Sequence, residues 1–145
     1  MLHECIDGLR IDPAGTYVDV TFGGGGHSKA ILAKLGPEGR LFSFDQDPDA
    51  WEQAEKIEDE RLTLITANFR YLEKYLRLHR VKQVDGILAD FGVSSFQLDA
   101  PERGFSIRFD GPLDMRMGPS ASMTAAELLN GYSATELQRI LGMYG

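Results

Sequence analysis

A chain of 145 residues, 43% hydrophobic and 26% charged, is globular material for about one domain. Its formal net charge of −7 weighs against non-specific nucleic-acid binding but leaves room for a structured RNA substrate, because charge can be segregated locally. A single cysteine, Cys5, excludes an internal disulfide and a cysteine zinc site, and His3, His27 and His79 are too scattered for a cluster, so no metal is expected.

No apolar run reaches the length of a membrane span and no signal peptide is read, so a cytoplasmic protein without membrane contact is expected. Tyr17, Val18, Val20, Thr21 and Phe22 form an alternating β-branched and aromatic run that predicts the first strand. Gly23 to Gly26 follow, and His27–Leu35 has helical spacing up to Gly36, which reads as the glycine just past a helix end. Strand, glycine loop and helix together bring backbone N–H groups to a nucleotide-like ligand. A Cβ in such a loop blocks both the tight turn and the ligand's approach. The spacing is not the dinucleotide fingerprint, whose third glycine falls on Ser28. Asp19 stands inside the strand, and an acid followed by glycines is what the first motif of S-adenosylmethionine (SAM) methyltransferases looks like. A glycine-rich turn without a ligand is the plainer alternative for this stretch alone.

Leu41–Phe44 is a second apolar run, ending in Asp45-Gln46-Asp47-Pro48. Asp45 closes the strand where a carboxylate can accept hydrogen bonds from the ribose hydroxyls of an adenosine ligand. Asp47 reads as a helix N-cap with Pro48 at the first helical position. Trp51, Ala54 and Ile57 mark a short helix, Arg61–Thr66 a third strand, and Tyr71, Leu72, Tyr75, Leu76 and Leu78 a further helical stripe. Val84–Asp90 is the fourth strand. Strands alternating with helices predict an α/β fold with a parallel, doubly wound sheet. Arg70, Lys74, Arg77, Arg80 and Lys82 read as a solvated basic face.

From Phe91 to about Pro119 no helical or strand period holds for long. Phe91, Phe96, Phe105 and Phe109 are interleaved there with Arg103, Arg108 and Arg116. A long loop at the carboxyl edge of a parallel sheet is an expected active-site wall. Aromatics and arginines suit an unpaired base and its phosphates, which makes Arg103, Arg108 and Arg116 candidate RNA contacts. A disordered linker is the alternative, and the aromatic content argues against it. Thr124-Ala125-Ala126-Glu127 and Ser133-Ala134-Thr135-Glu136 are capping boxes opening two short helices. This helical section differs from the βα part, so a boundary is expected near residues 117–122, giving regions 1–117 and 118–145.

Five motifs in order carry a family resemblance: Gly23–Ser28, Asp45–Pro48, Asp90–Leu98, Glu102–Ser106 and Asp110–Met117. Together they closely resemble the ribosomal RNA small-subunit methyltransferase H family, also called RsmH or MraW. The resemblance implies a class I SAM-methyltransferase domain, a Rossmann-like parallel sheet of which only the first half is present, followed by the start of a helical insertion domain. It implies SAM as cofactor and the N4 amine of a cytidine in the decoding region of bacterial small-subunit ribosomal RNA as target. The partner is that RNA, naked or in the assembled small ribosomal subunit, and the oligomeric state is left open. Carried over by position, the SAM contacts are Gly25, Gly26, His27, Asp45, Phe69, Asp90 and Gln97, with Asp90 also the candidate catalytic residue beside the reacting amine.

Family members are about twice as long as this chain, and the apolar His-x-Pro-Val segment that precedes residues like Met1-Leu2 is missing. The chain is therefore expected to be an inactive fragment with an unpaired edge on its fourth strand. Two rival classes stay in view: an NAD-dependent oxidoreductase, and a non-catalytic RNA-binding or assembly module.

Overall fold

The computed structural model describes residues 2–118 and 121–144. Pro119 and Ser120, where the sequence places the end of the long loop and the domain boundary, lie outside the described residues. The chain forms two compact units, Met1–Ser94 and Ser95–Gly145.

The first unit is built on four parallel strands, β1 (Thr16–Asp19), β2 (Arg40–Phe44), β3 (Leu62–Ile65) and β4 (Gly86–Leu88), in the order β3-β2-β1-β4. The helices α1 (Leu2–Leu9), α2 (Gly26–Leu32), α3 (Pro48–Ala54) and α4 (Leu72–Leu78) accompany them. Register places Val18 between Phe42 of β2 and Ile87 of β4, and Asp19 between Ser43 and Leu88. The two central strands, β1 and β2, are almost wholly buried, and their buried positions are mostly apolar. Tyr17, Leu41 and Leu88 pack against Ile6 of α1 and Ile31 and Leu32 of α2. Val18, Phe42, Phe44 and Ile65 pack with Leu76 of α4. Phe22, Ala50 and Ala54 form a third cluster that seats α3. This is a Rossmann-like parallel sheet. The chain leaves β3 at one edge and returns as β4 beside β1, so the direction of winding reverses between β1 and β4. Ligand crevices in such sheets open at that point, outside the carboxyl ends of the strands.

Three local expectations are corrected. The first strand ends at Asp19, short of Phe22, because the chain beyond it divides its bonds: Val20 N–H donates to Leu88 O at 3.0 Å and Phe22 N–H to Phe44 O at 3.0 Å. The helix after the glycines ends at Leu32, short of Leu35. Gly36 is not a left-handed cap; its N–H donates to Pro13 O at 2.7 Å, which turns the chain toward β2. The N-terminal helix α1, buried through Ile6, has no counterpart in the sequence reading.

In the second unit the long loop contains α5 (Ser95–Asp99) and a 3-10 turn at Pro101–Arg103, ordered segments too short for a period to register. The helices α6 (Ala125–Gly131) and α7 (Ala134–Tyr144) start at the two expected capping boxes. Thr124 Oγ1 accepts from Glu127 N–H at 3.1 Å, and Ser133 Oγ from Glu136 N–H at 3.3 Å. Ala125 N–H donates to Asp114 O and Ala126 N–H to Leu113 O, so α6 is tied back to the loop.

Candidate active site

The segments leaving the four strands at their carboxyl ends converge, and side chains lock them to one another. After β1 the chain enters the glycine loop with Gly23 at φ +52° and Gly25 at φ +75°, values that favour glycine. A Cβ on Gly25 would also stand 2.8 Å from the Phe22 ring. Gly26 is different: its φ is ordinary and nothing lies within 4 Å of an added Cβ. Neither conformation nor packing requires glycine there; Gly26 is exposed, and its backbone is open to whatever approaches the start of α2. Gly25 caps α2 without a side-chain acceptor for the first helical amides.

Asp45 follows β2. Its Oδ2 accepts from Gly23 N–H at 2.8 Å and its Oδ1 from Asp47 N–H at 3.0 Å, while its carbonyl takes Trp51 Nε1–H at 3.1 Å. The carboxylate therefore fixes the start of the glycine loop, and each oxygen keeps a lone pair for a further donor. Asp47 is the N-cap expected of it, accepting from Asp49 N–H at 3.1 Å, with Pro48 next. After β3, Asn68 starts a 3-10 turn at Phe69–Tyr71 and donates from Nδ2 to Gln46 Oε1 at 3.0 Å, which joins this segment to the one after β2.

Phe69 and Phe91 leave the two outer strands, yet their ring centroids are 5.5 Å apart at 40°. Both rings are exposed, 42% and 70% respectively. Phe91 enters this pairing although the sequence assigned it only to the loop wall. After β4, Asp90 N–H donates to Thr21 Oγ1 at 2.8 Å. The Asp90 carboxylate, 56% exposed, lies 3.8 Å from His27 Nδ1. That is ion-pair range and beyond a hydrogen bond. His27 Nε2 is buried with no hydrogen-bond partner among the described residues. A buried nitrogen without a partner is an atom that a ligand or an ordered water can satisfy.

Beneath the loop runs a buried polar chain that the sequence reading did not anticipate. Ser28 Oγ donates its one proton to Asp19 Oδ2 at 2.7 Å and accepts from Ser43 Oγ at 2.8 Å. Asp19 Oδ1 accepts from Thr21 N–H at 3.1 Å. Asp19, Ser28 and Ser43 are fully buried. Burial pushes the Asp19 carboxyl above its ordinary value, and the hydrogen bonds from Ser28 and Thr21 oppose that shift. The signal was present in the sequence: Asp19 and Ser43 are polar residues inside otherwise apolar strands.

A sequence profile of the MraW methylase family matches residues 1–145. The chain belongs to the MraW methylase family. Curated relatives named ribosomal RNA small subunit methyltransferase H cover all of it. The protein of Flavobacterium psychrophilum is 62% identical over 145 residues, that of Flavobacterium johnsoniae 57%, and that of Bacteroides thetaiotaomicron 54%. The matches take in 49%, 47% and 47% of those relatives, so the MraW-family chain spans about half their length.

Six of the expected cofactor positions, Gly25, Gly26, His27, Asp45, Phe69 and Asp90, lie on the segments that follow the four strands of this MraW-family sheet. Gln97 lies in α5 of the second unit, where it is buried. The three candidate RNA arginines are also in that unit, and each has a local role. Arg116 forms a two-pronged pair with Asp114, Nε to Oδ1 at 2.8 Å and Nη2 to Oδ2 at 2.6 Å, which holds the Asp114 carboxyl down at about 2. Arg103 Nη2 donates to the Arg116 carbonyl at 3.1 Å, and Arg108 Nη2 donates to Asp99 Oδ1 at 2.7 Å. Arg70, Lys74, Arg77, Arg80 and Lys82 are exposed, and Arg77 pairs with Glu73 one helical turn away. Among the described residues no helix is long and apolar enough to cross a membrane, and no group of three or more His, Cys, Asp or Glu is placed to hold a metal.

Proposed function

We propose that this chain is the cofactor-binding half of a SAM-dependent enzyme that methylates the N4 amine of a cytidine in the decoding region of bacterial small-subunit ribosomal RNA. The observation that carries the reading is the buried His27 Nε2, without a partner among the described residues, beside the exposed backbone of Gly26 at the point where winding reverses. The residues present fit SAM: glycines where a backbone must approach a ligand, Asp45 for ribose hydroxyls, and the exposed Phe69 face for adenine. Gly25, Gly26, His27, Asp45, Phe69, Asp90 and Gln97 are the proposed contacts. The relatives' shared name, an rRNA small-subunit methyltransferase, supports RNA as substrate. Residues 1–117 are proposed as the N-terminal part of the methyltransferase domain, and 118–145 as the beginning of a helical insertion for substrate recognition.

SAM, when bound, supplies a methyl group already activated on a sulfonium. The chain's own contribution is placement. The lone pair of a cytosine N4 is delocalised into the ring, so the amine is a poor nucleophile. Asp90, at the carboxyl end of β4, offers an acceptor for the amine's hydrogens and so favours a pyramidal nitrogen with its lone pair free. Holding the two reactants in line contributes about 7–11 kcal/mol relative to chance encounter. The cytidine must be unpaired or flipped out of a helix to reach such a pocket. Arg103, Arg108 and Arg116 are proposed to meet the RNA backbone, and the protein to act in the cytoplasm.

Calorimetry with SAM and with NAD separates this reading from an oxidoreductase. Ser28 standing where the dinucleotide fingerprint has its third glycine weighs against NAD. A non-catalytic RNA module predicts RNA binding indifferent to SAM. The decisive experiment is transfer of labelled methyl to naked small-subunit rRNA and to small ribosomal subunits by the full-length protein; no N4-methylcytidine in either would overturn the proposal. The 145-residue chain alone is proposed to give no turnover, because among the described residues β4 pairs only with β1 and its Ile87 is half exposed.

A further inference from the structure

We propose that Thr21 is a positioning residue for methyl transfer, fixing the main chain of Asp90 through a hydroxyl held by the buried Asp19. The inference rests on the reading of Asp90 as the acceptor beside the reacting amine. The ladder between β1 and β4 ends where Val20 N–H donates to Leu88 O. Asp90 lies two residues farther on, past the last ladder bond, and its N–H is taken by Thr21 Oγ1 at 2.8 Å across 69 residues of sequence.

The direction of these bonds is fixed. A main-chain N–H can only donate, so the Thr21 oxygen must accept from Asp90. Its own proton is thereby left to point at Asp19 Oδ1, 3.4 Å away, an oxygen that also accepts Thr21 N–H at 3.1 Å. Asp19 is in turn anchored by Ser28, next to His27, at 2.7 Å. One fully buried carboxylate thus references both sides of the site, His27 through Ser28 and Asp90 through Thr21. The Asp90 side chain is more than half exposed and lies 3.8 Å from His27. Its main chain is where the structure constrains it.

The test uses the full-length protein and compares T21V, T21S and D90N. Valine keeps the branched shape and deletes the hydroxyl; serine keeps the hydroxyl. T21V is expected to lower kcat on small ribosomal subunits and on naked rRNA by on the order of tenfold or more, since misplacement by about 1 Å costs up to about a hundredfold. SAM affinity is expected to fall less than kcat. T21S is expected to return most of the rate, and exchange of the Asp90 amide hydrogen is expected to quicken in T21V and not in T21S. If T21V does not fold, T21A takes its place with the same expectations. Wild-type turnover by T21V beside an impaired D90N overturns the role of Thr21 alone. Equal impairment of T21V and T21S overturns it as well, because the hydroxyl is then not the cause. A D90N protein as active as its parent overturns the underlying reading of Asp90.

Discussion

Replacing Asp45 with alanine perturbs two things at once, and the structure allows them to be separated. The carboxylate accepts Gly23 N–H at 2.8 Å and Asp47 N–H at 3.0 Å. Hydrogen bonds to a charged group contribute about 1.5–3 kcal/mol each, and a half-buried site belongs at the low end, so loss of both costs about 3 kcal/mol of local stability. That is a large share of a typical domain's total of about 5–15 kcal/mol. If Asp45 also accepts from the ribose, SAM binding weakens by a further 1.5–3 kcal/mol or so, roughly a ten- to 150-fold rise in Kd. Asp45→Asn, which retains one accepting oxygen, should fall between the parent and the alanine variant in both respects. The assay is calorimetric titration of parent and variant with SAM and with an analogue lacking the ribose hydroxyls, alongside urea unfolding. A direct contact makes the losses non-additive: the variant should discriminate little between the two ligands, while the parent discriminates strongly. If alanine weakens both ligands equally, Asp45 acts only by holding the glycine loop, and the ribose assignment is refuted.

Asp90→Asn should lower kcat by more than it weakens SAM binding, and equal losses in steady-state and binding measurements would reduce Asp90 to a cofactor ligand. Replacing Arg103, Arg108 and Arg116 together with glutamine should raise KM for RNA and flatten its salt dependence by about 0.7 in log–log slope per lost phosphate contact, with SAM affinity nearly intact. Because Arg116 pairs with Asp114 and Arg103 holds the Arg116 carbonyl, a triple lysine variant is the control; an equal rise in KM there would implicate loop geometry and not charge. Burial raises the Asp19 carboxyl above its ordinary 3.8, so on titration upward the unfolded chain loses this proton first, and stability falls as pH climbs from about 3.8 until the folded group has also ionised. Asp114 has the opposite sign: held at about 2 by Arg116, it contributes stability above 3.8 that is lost as pH falls toward 2. Urea midpoints across pH for Asp19→Asn and Asp114→Asn should each lose one of these slopes, and profiles parallel to the parent would contradict both assignments.

What was legible in the sequence is what local chemistry dictates. The four strands are apolar runs broken by turn residues, and Asp47-Pro48, Thr124-Ala125-Ala126-Glu127 and Ser133-Ala134-Thr135-Glu136 announce helix starts through bonds spanning two or three residues. Asp45 was singled out by its place after the second strand, but its bonds to Gly23 and Asp47 were not legible there. Elements below the resolution of a period were not: α5 has five residues, and α1 has eight with Ile6 as its buried residue. The end of α2 was misread because Gly36 has a second use, donating to Pro13 O, that no local pattern encodes.

The connections that assemble the candidate site belong to a different category. Gly23 to Asp45, Asn68 to Gln46 and Thr21 to Asp90 span 22, 22 and 69 residues, and each joins the ends of neighbouring strands. They exist only because the order β3-β2-β1-β4 makes those strands neighbours, so they cannot be inferred until the topology is known. The same dependence makes them informative about function. A glycine loop tied to Asp45, and an Asp90 main chain tied to Thr21, are held in place by hydrogen bonds of the chain itself. Preorganisation of that kind lowers the cost of aligning two reactants. It also predicts where tolerance ends: substitutions on the exposed face of α4, such as at Lys74, leave the arrangement intact, whereas removing a single hydroxyl at Thr21 unfastens the strand end that carries Asp90.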